Sequence, residues 1–185
     1  MGVIISLYEK WTPNLPIIQP FYIVKSNPGP ALLGALAALG SNFDCASNGE
    51  IEAIMVLGVS PDRIVFANLC KAGSHIKYAA RVGVNLTTFD SREELDKMQM
   101  WHLKCKLLTR IKPPLECKDV RELITKFGAL NEEVLPLLRS TKGLGLNVVG
   151  VAFHIGSAAK DSRAYREAIA TTKAIFRRIN SSWNA

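Results

Sequence analysis

Residues 21–46 read FYIVKSNPGPALLGALAALGSNFDCA, and this stretch decides the fold. It begins with the β-rich run Phe21–Lys25 and ends with a second apolar run, Phe43–Ala46. Between the two runs, the segment Ala31–Leu39 follows a proline and precedes Gly40, which are typical limits of a helix. A strand, a helix and a second strand in this order predict a parallel βαβ unit.

The alternation of strand and helix continues along the rest of the chain. The six predicted strands are Phe21–Lys25, Phe43–Ala46, Arg63–Asn68, Asn85–Asp90, Lys104–Ile111 and Asn147–His154. Their starts are 22, 20, 22, 19 and 43 residues apart, which is one βα unit per interval with the last interval doubled. This spacing favours a (β/α) barrel over an open sheet.

A closed barrel of this type has about eight strands, so six strands predict an incomplete barrel. We expect an unclosed edge, with the strands near Phe21 and Val149 lacking a seventh and an eighth neighbour. The whole chain, residues 1–185, is predicted to be one partial domain of the α/β class. Within it, residues 1–19 form a lead-in helix region and residues 20–185 carry the βα units.

Helix start signals support the strand predictions. Ser47 to Glu50 and Ser91 to Glu94 have the capping-box pattern, in which a serine precedes a glutamate by three residues. The helices predicted after these boxes are Ile51–Leu57 and the segment from Leu95. Asn131 and Asp161 are predicted N-caps for the helices Glu132–Leu138 and Ser162–Arg178.

Composition limits the functional classes. The 185 residues are 48% apolar and 21% charged, which fits a folded domain, and no apolar run is long enough for a membrane helix. No secretory signal is recognisable at the N-terminus, so a cytosolic location is expected. The net charge of +7 is scattered without a basic, aromatic-interleaved stripe, which argues against nucleic acid but suits an anionic ligand such as a phosphate.

The four cysteines show neither a CxxC pair nor a histidine at metal-binding spacing. They are Cys45, Cys70, Cys105 and Cys117. A zinc site or a disulfide framework is therefore not expected, and we predict buried, reduced thiols and no metal.

Working residues of a (β/α) barrel lie at the carboxyl ends of its strands. The polar residues that close the apolar runs here are Lys25, Asp44, Asn68, Asp90, Arg110 and His154. From the pattern alone, Lys25 also fits an ordinary strand-end charge and His154 a buried core histidine. Gly156 and Ser157 follow His154, and a small residue beside a hydroxyl can bind phosphate at a strand-to-helix turn.

Five segments resemble, in identity, order and spacing, the signature segments of the eukaryotic ornithine decarboxylases. They are Phe21–Asn27, Phe43–Ser47 with Glu50, Phe66–Lys71, Lys126–Ala129 and Phe153–Ser157. The resemblance covers residues 7–178, and the stretches Ala31–Asp44 and Leu57–Asp90 resemble the plant-type enzymes in particular.

The resemblance implies a site for pyridoxal phosphate. The implied cofactor-binding residues are Lys25, Asp44, Glu50, Arg110, His154 and Ser157. Lys25 is implied to be the catalytic lysine that binds the cofactor covalently, and His154, the second catalytic residue, is implied to stack on the cofactor ring. Ser157 is implied to bind the phosphate. Glu50 also fits a purely structural role as the capping acid of its helix. Asp44 and Arg110 also fit an ordinary ion pair at the strand ends.

The implied activity is that of a carboxy-lyase that converts ornithine to putrescine in polyamine biosynthesis, in a family whose members are homodimers. Three positions depart from the family pattern: Ser26 replaces a cysteine, Leu69 a proline and Ala158 a glycine. By comparison with the family, we expect the 185 residues to lack its glycine-rich phosphate loop, its later active-site residues and its C-terminal β-domain. We therefore expect the chain to be inactive alone.

Two other readings stay open at this point. The chain could be a non-catalytic, decarboxylase-like regulatory protein of the antizyme-inhibitor kind, although the retained Lys25 and His154 weigh against this. It could also be a small, independent pyridoxal phosphate barrel, but that reading needs a barrel closed within this length. Binding of pyridoxal phosphate separates a cofactor-binding protein from a scaffold.

Overall fold

The computed structural model describes residues 2–112, 127–156 and 162–183, with side chains described as far as residue 177 in the last range. The strands are β1 (Phe21–Ile23), β2 (Asn42–Cys45), β3 (Ile64–Phe66), β4 (Leu86–Phe89), β5 (Lys106–Ile111) and β6 (Asn147–Phe153). The α-helices are α1 (Gly2–Asn14), α2 (Pro30–Ala38), α3 (Asn48–Met55), α4 (Gly73–Val82), α5 (Arg92–Trp101), α6 (Asn131–Gly143) and α7 (Arg163–Trp183). Short 3₁₀ turns occupy Val24–Ser26 and Pro61–Arg63.

The six strands follow one another in sequence order in one sheet. The pairs β1–β2, β2–β3, β3–β4 and β5–β6 are all parallel, and helices alternate with the strands. This confirms the predicted α/β class with six parallel strands. Phe21 on the first strand of the order and Val149 on the last expose 39% and 43% of their surface, as the predicted unclosed edges require.

The chain divides into two compact units, residues 1–87 and residues 88–185. In the first unit, the largest fully buried side chains include Phe43, Phe66 and Ile51, so the core lies between the strands and the helices that follow them. Helix α2 begins at a proline in its first turn, as predicted. It ends before Gly40, whose φ of 88° is the left-handed conformation that glycine adopts readily at helix ends.

The predicted lead-in helix is α1, and none of its residues is buried. The indole N–H of Trp11 donates to the carbonyl oxygen of Ile18 over 2.7 Å, which secures the chain between α1 and β1. Among the described residues, no helix combines the length and the apolar character that crossing a bilayer requires.

In the second unit, β5 and β6 pair along their whole lengths with one register shift between Leu107 and Leu108. Ile155, Ala164 and Ala168 form a buried cluster with Phe153 packed against it, so α7 folds back onto the end of β6. A single bridge joins Ile111 and Ala129 beside β5.

Three details of the sequence prediction are wrong. Lys25 does not end a strand, because β1 stops at Ile23 and the chain turns immediately. Asn131 is the first residue of α6, and the N-cap is Leu130, whose backbone N–H donates to the carboxylate of Glu133 over 2.7 Å. Cys70 is exposed, whereas Cys45 and Cys105 are buried as predicted.

The other predicted strands and helices are confirmed, with ends that differ by up to five residues. The predicted N-cap Asp161 and the cysteine Cys117 lie outside the described residues.

Candidate active site

Lys25 lies in the turn that directly follows β1. The turn, Val24–Ser26, is a single 3₁₀ segment in which Val24 is fully buried and Lys25 is exposed. Ile23, the last residue of β1, is in register with Asp44 on β2. Because the two strands are parallel, Lys25 and Asp44 both lie toward the carboxyl end of this part of the sheet.

Hydroxyl groups hold the turn around Lys25. The Oγ of Ser26 donates to the carbonyl oxygen of Ile23 over 2.7 Å, and the hydroxyl of Tyr22 donates to the carbonyl oxygen of Asn27 over 3.2 Å. The two hydroxyl oxygens are 3.1 Å apart. The side chain of Asn27 then accepts from the backbone N–H of Gly29 over 3.0 Å. The path of the chain on both sides of Lys25 is therefore fixed by side chains as well as by the backbone.

Two carboxylates and a buried thiol occupy the end of β2. The carboxylate of Glu50 accepts from the backbone N–H of Ala46 over 2.8 Å, while the Oγ of Ser47 accepts from the N–H of Glu50 over 3.3 Å. Burial, with further contributions from the negative charges of Glu50 and Asp44, raises the pKa of Cys45 to about 12. The strand end is thus an anionic environment in which the thiol stays protonated.

The end of β3 is tied to the end of β2 by Asn68. Its side-chain amide donates to the carbonyl oxygen of Ala46 over 3.1 Å, and its side-chain oxygen accepts from the backbone N–H of Cys70 over 3.2 Å. Lys71 follows and is buried, with its ammonium nitrogen 5.7 Å from the centroid of the Phe66 ring. Asn68 therefore links the two strand ends, and Lys71 lies buried beside the ring of Phe66.

In the second unit, Arg110 lies on β5 and His154 lies directly after β6. Arg110 is half-buried and in register with Ala152, so it lies near the carboxyl ends of both strands. His154 is exposed rather than a buried core residue. Gly156, two residues after His154, has a φ of 89°, a left-handed conformation that side-chain-bearing residues rarely adopt.

Asp90, directly after β4, makes a long-range contact within the second unit. Its carboxylate accepts from the backbone N–H of Gly128, 38 residues later, over 2.8 Å. Gly128 has a φ of 99°, and a Cβ there would lie 2.8 Å from the backbone of Ile111 and Lys112. Only glycine fits this close approach, which brings the segment before α6 to the end of β5.

The structure thus brings Lys25, Asp44, Glu50 and Asn68 to the carboxyl ends of β1 to β3. In the second unit, Asp90, Arg110 and His154 lie at or after the corresponding ends of β4 to β6. Convergence of all the predicted residues on one concave mouth stays a prediction. Ser157, Ala158, Lys126 and the segment 115–124 lie outside the described residues.

Tyr22 and Ser26 have roles in the turn that were not predicted from the sequence. Ser26 stood out only as a departure from the family pattern, and Tyr22 only as part of a β-rich run. The available signal was two hydroxyl residues four positions apart on either side of the candidate lysine, because such side chains bind nearby backbone groups and end regular structure.

These features define a class: a parallel βα domain with a lysine directly after its first strand and carboxylates at the end of the next. Residues 1–183 match the family described as pyridoxal-dependent decarboxylase, pyridoxal binding domain. The chain belongs to this family, which confirms the family predicted from the signature segments.

Known proteins resemble the chain in sequence and in structure. It is 53% identical over 176 residues to the chloroplastic ornithine decarboxylase of Nicotiana glutinosa, an alignment that covers 95% of this chain and 41% of that protein. The arginine decarboxylase of Paramecium bursaria Chlorella virus is similar with a TM-score of 0.91 and 37% identity, covering 97% of this chain and 49% of that one. The lysine decarboxylase of Selenomonas ruminantium gives 0.88 and 38%, with coverage of 95% and 46%.

The chain therefore spans less than half the length of each of these relatives. The three proteins also differ in the amino acid that their names give as substrate, so the shared fold does not by itself select one.

Proposed function

We propose that this chain is the cofactor-binding part of a pyridoxal-phosphate-dependent decarboxylase that acts on ornithine. One observation carries the proposal: the only lysine of β1 and its turn, Lys25, is exposed on a hydrogen-bonded turn at the carboxyl end of the strand. A primary amine held in this way can react with an aldehyde, whereas an arginine guanidinium could not do so readily.

The other residues of the first unit fit the same cofactor. Asp44 and Glu50 supply negative charge near the end of β2, which suits a cationic ring nitrogen. Glu50 is held by the N–H of Ala46, so its carboxylate keeps a defined position. When bound, pyridoxal phosphate supplies the electron-accepting ring that stabilises the charge left by loss of the substrate carboxylate.

Roles in the second unit follow from the family. His154 is proposed to stack on the ring of the cofactor, a role that its exposed position after β6 allows. Arg110 is proposed to complete the polar network, and Ser157 to bind the phosphate beside the left-handed Gly156.

Ornithine is proposed as the substrate because the curated relative with 53% identity is an ornithine decarboxylase by name. Homodimer formation and a cytosolic location remain predictions, and the same relative is chloroplastic by name.

The cofactor proposal is tested by reduction with borohydride in the presence of pyridoxal phosphate, followed by peptide mass mapping. We expect the modification on the peptide that carries Lys25, and none on that peptide in Lys25→Arg, which keeps the charge but not the reactive amine. Modification spread over many lysines, or unchanged in the variant, would show that Lys25 has no special role.

The substrate proposal is tested by release of labelled CO₂ from carboxyl-labelled ornithine, lysine and arginine. The protein is assayed as the 185-residue chain and as the same chain extended to the length of its relatives. We expect turnover of ornithine only in the extended protein, abolished by Lys25→Ala. Cofactor capture without turnover of any of the three amino acids in the extended protein would favour the regulatory reading.

A further inference from the structure

We propose that the hydroxyls of Tyr22 and Ser26 form a clamp that positions Lys25 for its reaction with pyridoxal phosphate. The inference rests on the proposed function, because it concerns the same lysine. It goes further by assigning a positioning role to two residues that do not themselves carry the reactive amine. The hydroxyl clamp is defined as these two side chains with the carbonyl oxygens of Ile23 and Asn27.

The clamp closes both ends of the turn. The single hydroxyl proton of Ser26 goes to the nearer acceptor, the carbonyl oxygen of Ile23 at 2.7 Å. The hydroxyl of Tyr22 is 3.2 Å from the carbonyl oxygen of Asn27 and 3.1 Å from the Oγ of Ser26. With the Tyr22 proton on the carbonyl oxygen of Asn27, no proton lies between the two hydroxyl oxygens. The clamp therefore consists of two separate hydrogen bonds, one from Ser26 to the residue two before Lys25 and one from Tyr22 to the residue two after it.

The turn needs this support because little else holds the side on which Lys25 lies. A three-residue 3₁₀ segment is weak by itself, and its N-cap, Ile23, makes no side-chain cap bond. Val24 anchors one side by complete burial, whereas Lys25 and Ser26 are both exposed. After the turn, Asn27 is already extended, with φ −159° and ψ 102°. The direction of the Cα–Cβ bond of Lys25 is thus set by Val24 on one side and by the clamp on the other.

A positioning role predicts a specific kinetic effect. Loss of one hydroxyl leaves Lys25 exposed but broadens the orientations of its side chain, so correctly aligned encounters with the cofactor aldehyde become rarer. We expect capture of pyridoxal phosphate at Lys25 to slow about fivefold to tenfold, the factor that one hydrogen bond typically represents.

The test compares Ser26→Thr with Ser26→Val in the full 185-residue chain. The two variants have nearly the same shape, but only threonine keeps a hydroxyl. Two rates are measured by peptide mapping: capture of pyridoxal phosphate at Lys25, trapped with borohydride, and acetylation of Lys25 by acetic anhydride, which needs no alignment with a bound cofactor. Tyr22→Phe is the second variant, and urea unfolding monitors the fold of each protein.

We expect Ser26→Val and Tyr22→Phe to slow capture by about fivefold or more, Ser26→Thr to stay within about twofold of the natural chain, and acetylation to be unchanged in all three. Equal capture by the valine and threonine variants would overturn the clamp while leaving the cofactor proposal intact. Equal slowing of capture and acetylation would also overturn it, because it would show lost access rather than lost alignment. Failure of the natural chain to capture the cofactor at Lys25 would overturn the proposed function, and the clamp with it.

Discussion

Two strand-to-helix connections in this chain, from β2 to α3 and from β4 to α5, have the same length and the same helix start. In each, one residue separates the strand from a serine N-cap, and a glutamate follows three residues after the serine. Both serines accept a hydrogen bond from the backbone N–H of that glutamate. The acidic side chains nevertheless have different partners.

In the first connection, the carboxylate of Glu50 binds the N–H of Ala46, the residue between strand and cap. In the second, Glu94 is buried and pairs with Lys97, while Asp90, at the position equivalent to Ala46, binds the distant N–H of Gly128. The glutamate of the first connection thus binds the backbone at the strand end, and the glutamate of the second has a cation, Lys97, three residues further along its helix. The residue before the cap and the cation available at the next turn account for this difference.

The largest effect should come from breaking the long-range contact of the second connection. In Gly128→Ala, the new Cβ would lie 2.8 Å from the backbone of Ile111 and Lys112, at a φ of 99° that alanine disfavours. We expect the free energy of unfolding to fall by about 3 kcal/mol or more, because backbone must move and Asp90 loses its partner.

Urea unfolding followed by circular dichroism measures this change. Gly49→Ala, in the first turn of α3, is the matched control: its Cβ meets nothing within 4 Å, and alanine favours helix. We expect the control to be neutral or slightly stabilising. Similar unfolding midpoints for the two variants would show that Gly128 does not hold the segment in place.

The next effect concerns pH and the thiol at the end of β2. Because the pKa of Cys45 is raised from 9.0 to about 12, the folded chain keeps this thiol protonated at a pH where the unfolded chain releases the proton. The stabilising contribution is complete below about pH 9 and is lost as the pH rises toward 12. We expect a loss of about 1.4 kcal/mol per pH unit in this window, measured by urea unfolding and absent in Cys45→Ala.

Glu50→Gln and Glu94→Gln test whether the glutamate of the first connection, and not that of the second, influences the Cys45 thiol. Removing the charge of Glu50 lowers the cost of the thiolate, so the pKa of Cys45 should fall and the thiol should react faster with iodoacetamide. Glu94→Gln should leave that rate unchanged, because its carboxylate pairs with Lys97 on α5. The exposed Cys70 is the internal reference for alkylation. If Cys45 were alkylated at the same rate in both variants, the charge of Glu50 would be shown not to affect the Cys45 thiol.

Sequence periodicity identified every strand of the sheet, because each is an apolar run whose burial the fold requires, and βα spacing left few arrangements. It did not place the end of β1. The apolar run continues through Val24, but the Oγ of Ser26 takes the carbonyl oxygen of Ile23 and turns the chain. The hydrophobic pattern of a sequence does not show that a side-chain hydroxyl will bind a backbone carbonyl oxygen and end a strand.

The candidate site was predictable only in part. Polar residues closing apolar runs indicated Lys25, Asp44, Arg110 and His154, since strand ends are where barrels place working groups. The contact between Asp90 and Gly128 joins residues 38 positions apart, and nothing in the local sequence pairs them. Likewise, the capping-box pattern alone did not indicate that the carboxylate of Glu50 would bind the N–H of Ala46 or that the carboxylate of Glu94 would pair with Lys97.

The smallest effect should come from the two N-cap serines, which make similar bonds of 3.3 Å and 3.4 Å to the glutamate N–H groups. Ser47→Ala and Ser91→Ala should each lower the free energy of unfolding by about 1 kcal/mol, and the glycine variants by only a few tenths. The two alanine variants should differ in their effect on the reactivity of Cys45. Without the Ser47 bond, the first turn of α3 loosens and carries Glu50 away from Ala46, so alkylation of Cys45 should accelerate; Ser91→Ala leaves that carboxylate in place. Equal losses of stability with unequal reactivity of Cys45 are the expected result, measured by urea unfolding and by iodoacetamide labelling. If both variants left Cys45 equally protected, the cap of α3 would be shown to stabilise its helix without controlling the position of Glu50.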